Sequence, residues 1–386
     1  MKLKALTAAM LSAGLCTSPA FAGSVEDDLR LLKQRLDQME LQMQAQQKLI
    51  VQQKEIIERQ SKSIANNEAA VQEVRSTGGG GADWPSRVTV GGVVEIEAAQ
   101  AEDFAGNDTS DITVATVELA IAAQINDMVS AEVVLLHEED DTNLEVDIAT
   151  ITIGNEDISP FSLTAGQFFV PFGNFESHMI SDPLTLEIGE IRETAVMVSY
   201  NAAGVGVSGG IFKGTKDDDV EAGFQAAGYE WEGDDQALSI GGSYLSDLRE
   251  TDGVEGAAAL TNSNDSVDAF SAYAVYGTGA WKFIGEYLGA SDNFNNGREP
   301  STFNIEAGYS FELGGNEAIA AVGYQETDEA QDLGLPEERF QASLSVVVYD
   351  ATTLSFEYQH NEDYDANDGG TGNDGHTITT QLAVEF

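Results

Sequence analysis

The feature that most constrains this chain is a period of two that runs from Val88 to Phe386. Phe303, Ile305, Ala307, Tyr309 and Phe311 alternate with Asn304, Glu306, Gly308, Ser310 and Glu312. Leu354, Phe356 and Tyr358 alternate with Thr353, Ser355 and Glu357, and Val117, Leu119, Ile121, Ala123 and Ile125 follow the same rule earlier. Such alternation makes strands with one apolar face. A soluble sandwich reads the same way along any one strand; the connections separate the two. Sixteen candidate strands are joined by short links near Asn126-Asp127, Asn155–Ser159, Asn201–Ala203, Gly233-Asp234, Gly277–Gly279, Gly314-Gly315 and Asp350-Ala351. Long links lie between them, near 102–110, 138–143, 171–192, 213–219, 247–265, 291–300, 327–336 and 361–375. Short turns on one side and long loops on the other are the outer-membrane pattern. Residues 87–386 are therefore expected to form an all-β fold, a transmembrane antiparallel β-barrel of about 16 strands.

Two further cues agree. Phe161, Tyr200, Trp231, Tyr276, Trp281, Phe311 and Tyr349 sit beside short turns, as an interfacial girdle would. The last strand ends in Phe386, an aromatic C-terminus typical of proteins read by the bacterial barrel-assembly machinery, so Phe386 is the expected assembly signal. An even strand count places both barrel ends on the periplasmic side. Gly204-Val205-Gly206 reads as strand sequence in which glycine relieves crowding.

The N-terminal 86 residues read differently. Lys2 and Lys4, an apolar run from Ala5 to Leu15 and Ala20-Phe21-Ala22 predict a signal peptide over 1–22 with cleavage after Ala22. A lipoprotein site at Cys16, the one cysteine, would need a small residue where Leu15 stands. Residues 24–75 carry an unbroken 3-4 spacing, with Leu29, Leu36, Met43, Ile50, Ile57, Ile64 and Val71 in one column. The other column turns polar at Gln46, Gln53, Gln60 and Asn67, which costs stability but specifies register. This predicts an α-helical coiled coil about 75 Å long in the periplasm. Residues 76–86, with Gly78-Gly79-Gly80-Gly81, form a linker. Self-association through the coiled coil and the barrel walls predicts a homotrimer.

Charge narrows the function. The chain carries 18 Lys and Arg against 66 Asp and Glu, a net charge of −48. Nucleic acid is excluded as a partner, because phosphate binding needs a basic footprint. Sixteen strands enclose water, whereas the plugged, energised transporters use more strands and a plug domain that this length does not hold. Passive diffusion of a small-molecule solute follows. No nucleophile-elbow, zinc-protease or phosphate-loop motif occurs, so no catalytic residue, no metal and no cofactor is expected. His137, His178, His360 and His376 are too scattered along the chain to suggest a metal cluster, and Asp140-Asp141 and Asp217-Asp218-Asp219 read as solvated acidic runs. After Trp84 there are eight Lys and Arg against 56 Asp and Glu. Carboxylate rings favour cations, although a salt-adapted surface would have the same composition.

The third long loop, from Pro171 to Glu193, is long and moderately apolar. In sixteen-stranded porins the third loop commonly folds inward, so Glu176, Asp182, Glu187, Glu190 and Glu193, with Arg192 as counter-charge, are the pore-constriction candidates. Around and within it, Gly166-Gln167-Phe168-Phe169-Val170-Pro171-Phe172-Gly173, Ser181-Asp182-Pro183-Leu184-Thr185 and Glu187-Ile188-Gly189-Glu190 resemble the LbtU-family siderophore porins. So does the layout of signal peptide, coiled coil and barrel ending in Phe. The resemblance implies ferric siderophore uptake across the outer membrane without a plugged receptor. It supplies no ligand residues. An anchoring protein, tethering the membrane to the cell wall through its coiled coil, is the alternative the sequence leaves open.

Overall fold

The computed structural model describes residues 87–139, 142–214, 222–257, 260 and 266–386. The signal peptide, coiled coil and linker, with the two acidic runs, lie outside the described residues. The strands are β1 (Val88–Glu102), β2 (Asp108–Asn126), β3 (Val129–Glu138), β4 (Thr142–Gly154), β5 (Phe161–Phe169), β6 (Arg192–Ala202), β7 (Val205–Phe212) and β8 (Ala222–Glu232). They continue as β9 (Gln236–Leu245), β10 (Ala269–Thr278), β11 (Trp281–Ala290), β12 (Ser301–Leu313), β13 (Asn316–Asp328), β14 (Glu338–Tyr349), β15 (Thr352–Glu362) and β16 (Asp374–Glu385). Each pairs antiparallel with its sequence neighbours, and β1 closes on β16. A closed sheet leaves no edge unpaired, which is what lets strands cross lipid. At the seam Val93 faces Glu385 and Glu102 faces His376. Phe386 finishes the closure, exchanging backbone hydrogen bonds of 3.0 Å with Gly92.

The outer face is apolar, as a surface suited to lipid is. Ile151, Val198, Ile240, Ile305, Val322 and Leu382 are all exposed on it. Aromatic contacts follow the rims of β5 to β14. Phe161 meets Tyr200 at 5.1 Å and Trp281 meets Tyr309 at 4.8 Å near the turn end, and Tyr324 meets Phe340 at 4.7 Å near the loop end. β1 to β4 contain no Phe, Tyr or Trp.

One local expectation changes. Ala203 and Gly204 both have positive φ, +52° and +78°, and form the tight turn between β6 and β7. Two left-handed residues give a hairpin the twist its strands need, so Gly204 serves a turn and not a strand. The register also overturns the expectation that the histidines stand apart: His360 on β15 lies directly opposite His376 on β16.

The main hydrophobic core lies inside the loop half of the barrel. Phe168, Phe172, Ile188, Ile191, Phe212, Phe224, Leu245, Leu248, Val254 and Leu288 cluster there, all buried. The third loop and the loop after β9 supply much of it, so part of the lumen is filled.

Candidate functional site

The third loop leaves β5 at Val170 and returns to β6 at Ile191, where Val170 N–H donates to the Ile191 carbonyl at 2.9 Å. Between those points it crosses the lumen and fastens to the far wall. Glu286 on β11 accepts from Asn174 N at 2.6 Å, Phe175 N at 3.0 Å and Thr185 Oγ1 at 3.0 Å. Glu306 on β12 accepts from Ser177 Oγ and His178 N, each at 2.8 Å. Glu357 on β15 accepts from Ile180 N and Ser181 Oγ, each at 2.5 Å. Gln325 accepts from Leu184 N at 2.5 Å, and Arg339 donates to the Asp182 carbonyl at 3.0 Å. Loop backbone needs partners once it leaves bulk water; inward carboxylates provide them, and a charged acceptor makes the stronger bond.

The return limb forms the short helix α1 (Leu184–Gly189), with Leu184, Thr185, Ile188 and Gly189 buried and Glu187 exposed to the lumen. Gly189 packs closely: a Cβ there would lie 2.2 Å from Leu288 Cδ1, so that side chain would have to shift. Over α1 sits a second helix, α2 (Asp252–Glu255), from the loop after β9. Asp252 N–H donates to the Glu190 carbonyl at 2.9 Å, and a Cβ on Gly253 would come within 1.8 Å of the Glu187 carbonyl oxygen.

The opposite wall is acidic too. On β1 to β4, Glu95, Glu97, Glu118 and Glu132 share the inner face, as the outward placement of Ile96, Ile121 and Val133 requires. Glu118 feels the charges of Asp147, Glu132 and Glu95. Glu97, which accepts from Gln381 at 2.8 Å, feels those of Glu95, Glu357 and the loop's Asp182. Glu190 feels Asp252, Asp182 and Asp147. Loop and wall are thus within electrostatic reach, acid facing acid.

The candidates from the sequence divide accordingly. Asp182 and Glu187 are exposed to lumen water yet hemmed in by protein, and this loss of solvent raises both carboxyls above the usual range. Burial first, then the neighbouring Asp252, pushes Glu190 up to about 7; burial likewise pushes Asp252 up to about 6. Glu176 is held by Lys282 in an ion pair. Arg192 and Glu193 are the first residues of β6 and not part of the loop. Arg192 bridges Glu145 and Asp147, at 2.7 Å each. Sequence reasoning missed the anchoring acids Glu286, Glu306 and Glu357 and the β1–β4 wall acids. Their alternation with apolar residues marks them as inward, and that signal was open to use.

No family model matches this chain. It is 30% identical over 310 residues to a UPF0422 protein of Coxiella burnetii, covering 74% of this chain and 66% of that one. A UPF0422 protein of Legionella pneumophila is 27% identical over 351 residues, again with 66% of its length covered. The chain spans about two thirds of the curated relatives it matches. Among solved structures, OmpF of Salmonella typhi, in complex with daunomycin, superposes with a TM-score of 0.58 at 12% identity, covering 78% of this chain and 97% of that one. The fold is that of an outer-membrane porin. An anion-selective porin of Comamonas acidovorans gives 0.55 at 16% identity, covering 78% and 99%. OmpT of Vibrio cholerae, an outer membrane protein in its trimer form, gives 0.51 at 14%, covering 78% and 99%. The charge of the lumen is particular to each sequence.

Proposed function

We propose that this chain is a passive diffusion channel of the outer membrane with a preference for cations, and that its narrowest passage runs between the third loop and the inner wall of β1–β4. One observation carries the reading: acids line both sides of that passage, while the inner basic residues are occupied. Arg192 is bridged to Glu145 and Asp147, Lys282 is paired with Glu176, and Arg339 is buried against the Asp182 carbonyl and Asn361. A cation entering meets uncompensated negative charge, and confinement weakens its screening. An anion meets a barrier. Ferric siderophore as the cargo rests on the sequence resemblance alone; of such ligands, the lumen favours neutral or cationic forms.

The reversal potential in a salt gradient across a planar bilayer tests the preference. Cation selectivity that grows as salt falls is expected, because the Debye length lengthens from about 8 Å at physiological strength to about 30 Å at 0.01 M. Anion selectivity would return the acids to a solubility role.

A homotrimer is part of the same proposal. The aromatic rims fail along β1–β4, where Val, Ile, Leu, Ala and Thr predominate. Aromatic belts suit a lipid interface, and a wall without one suits a neighbouring subunit. The coiled coil expected over 24–75 precedes β1 in sequence, joined to it by the linker expected over 76–86. Cysteine pairs placed on outward β1–β4 positions are expected to cross-link to a trimer, whereas pairs on β10–β12 are not. Recognition of Phe386 by the assembly machinery belongs to the proposal as well, and is tested by the rate at which Phe386→Ala enters the membrane in cells.

A further inference from the structure

The register at the loop end of β14, β15, β16 and β1 gathers metal-ligating side chains that the sequence scatters over about 270 residues. His360 lies opposite His376, Glu362 opposite Asp374, and Glu102 opposite His376. Paired residues share a face, and Phe356 and Tyr358, exposed on the same strand with the same parity, show that this face is the outer one. The group therefore sits on the outer wall at the loop-end aromatic rim, His360 lying directly opposite Phe340. Donor atoms of His360, Glu362 and Asp374 all lie within 4.8 Å of one another. His360 Nε2 is 3.7 Å from Glu362 Oε1, and His376 Nδ1 is 3.7 Å from Glu102 Oε2, too long for good hydrogen bonds.

The surrounding charge makes the arrangement costly without a cation. Glu326 faces Glu338, Glu338 faces Glu362, and Glu362 faces Asp374, so one row of carboxylates runs across four strands. Like charges directly opposite each other destabilise a sheet. We infer that His360, Glu362 and Asp374 form a site for a zinc-class divalent cation on the outer wall. His376 and Glu102 stand beside it as further donors. An imidazole with two carboxylates suits a borderline metal such as zinc more than magnesium or calcium, which take oxygen alone. The residues sit on paired strands, so the donors are preorganised. The ion would tie β15 to β16 beside the closing seam.

The full chain, purified without a histidine tag in mild detergent, provides the test. Zinc should bind by calorimetry and raise the temperature at which the barrel unfolds, with magnesium or calcium at equal concentration doing neither. His360→Ala and Asp374→Asn should each weaken zinc binding at least tenfold and abolish the thermal shift. Both variants should unfold at or above the parent's temperature when no metal is present, which separates loss of a ligand from loss of the fold. Glu312→Gln, on the same barrel but at the turn end, should bind zinc like the parent. Equal response to zinc and magnesium, an unchanged affinity in His360→Ala, or no binding below millimolar zinc would overturn the site.

Discussion

Glu95 and Glu306 look alike in the sequence: each is an acid flanked by apolar residues in a strand, and each points into the barrel. Their surroundings give them different work. On β11, β12 and β15, Glu286, Glu306 and Glu357 accept hydrogen bonds from the third loop and hold it across the lumen. On β1 to β4 no loop reaches Glu95, Glu118 or Glu132 with a hydrogen bond among the described residues, and their charge stays with the water. One wall spends its carboxylates on holding the loop; on the proposed function, the other leaves them to act on solute. A charge count cannot separate these uses, because it weighs an acid buried under backbone N–H groups the same as one facing solute.

The sharpest break of this comparison removes the anchors. Glu286→Leu with Glu357→Leu strips the acceptors from Asn174, Phe175, Thr185, Ile180 and Ser181. Each donor left buried and unpaired costs about 1–3 kcal/mol, more than a loop gains by staying in place. The loop should leave the wall, raising single-channel conductance and lowering barrel stability together. Unchanged conductance would mean that the hydrophobic contacts of Ile188 and Phe172 hold the loop unaided.

Next in size is neutralisation of the free wall. A carboxylate about 5 Å from a passing cation contributes roughly 0.8 kcal/mol even at the permittivity of water, about fourfold in local cation population. Changing Glu95, Glu97, Glu118 and Glu132 to Gln should therefore cut cation preference severely. Glu306→Gln should barely alter it, because Glu306 is occupied by Ser177 and His178. Equal effects would erase the distinction between the walls.

Acid should act on the loop itself. Glu190 titrates at about 7 and Asp252 at about 6, so lowering the pH from 8 to 5 neutralises first one and then the other. Cation preference should fall in two steps, and Glu190→Gln should remove the upper one. The stability sign follows from linkage: a carboxyl raised on folding binds its proton more tightly in the folded chain. Its stabilising contribution is therefore present in acid and lost as the pH rises through about 7. Glu190→Gln should accordingly be more stable than the parent at pH 8 and equal to it at pH 4. The smallest effect is expected for Lys282→Gln. Its partner Glu176 is half exposed, and such pairs contribute about 0–1 kcal/mol. Unfolding should hardly move, with cation preference rising slightly as Glu176 is freed.

The barrel was legible because lipid and water impose opposite demands on alternate residues. Strands such as β12 and β15 therefore announce their length, faces and turns without reference to any partner. Inward folding of the third loop was legible only by analogy of position. Its destination was not, since the bond from Ile180 to Glu357 joins residues 177 apart, and such hydrogen bonds leave no periodic trace. Arg192 and Glu193 read as loop because charged residues at a strand end look like loop sequence; pairing with Phe169 and Phe168 places them in β6. The meeting of His360 and Glu362 with Asp374 across β15 and β16 was hidden for a related reason, because spacing along the chain says little about residues that meet across strands.

The span of the loop's attachments also orders events in time. Ile180 can find Glu357, and Arg339 can find the Asp182 carbonyl, only after β14 and β15 exist and stand in register. Closing contacts of such long range come late, because their entropy must be met before they return anything. A newly made barrel would thus pass through a stage in which the cylinder is shut and the loop has not yet docked. On that order the molecule would begin its life as a wide hole, and the discrimination proposed for it would be the last thing it acquires.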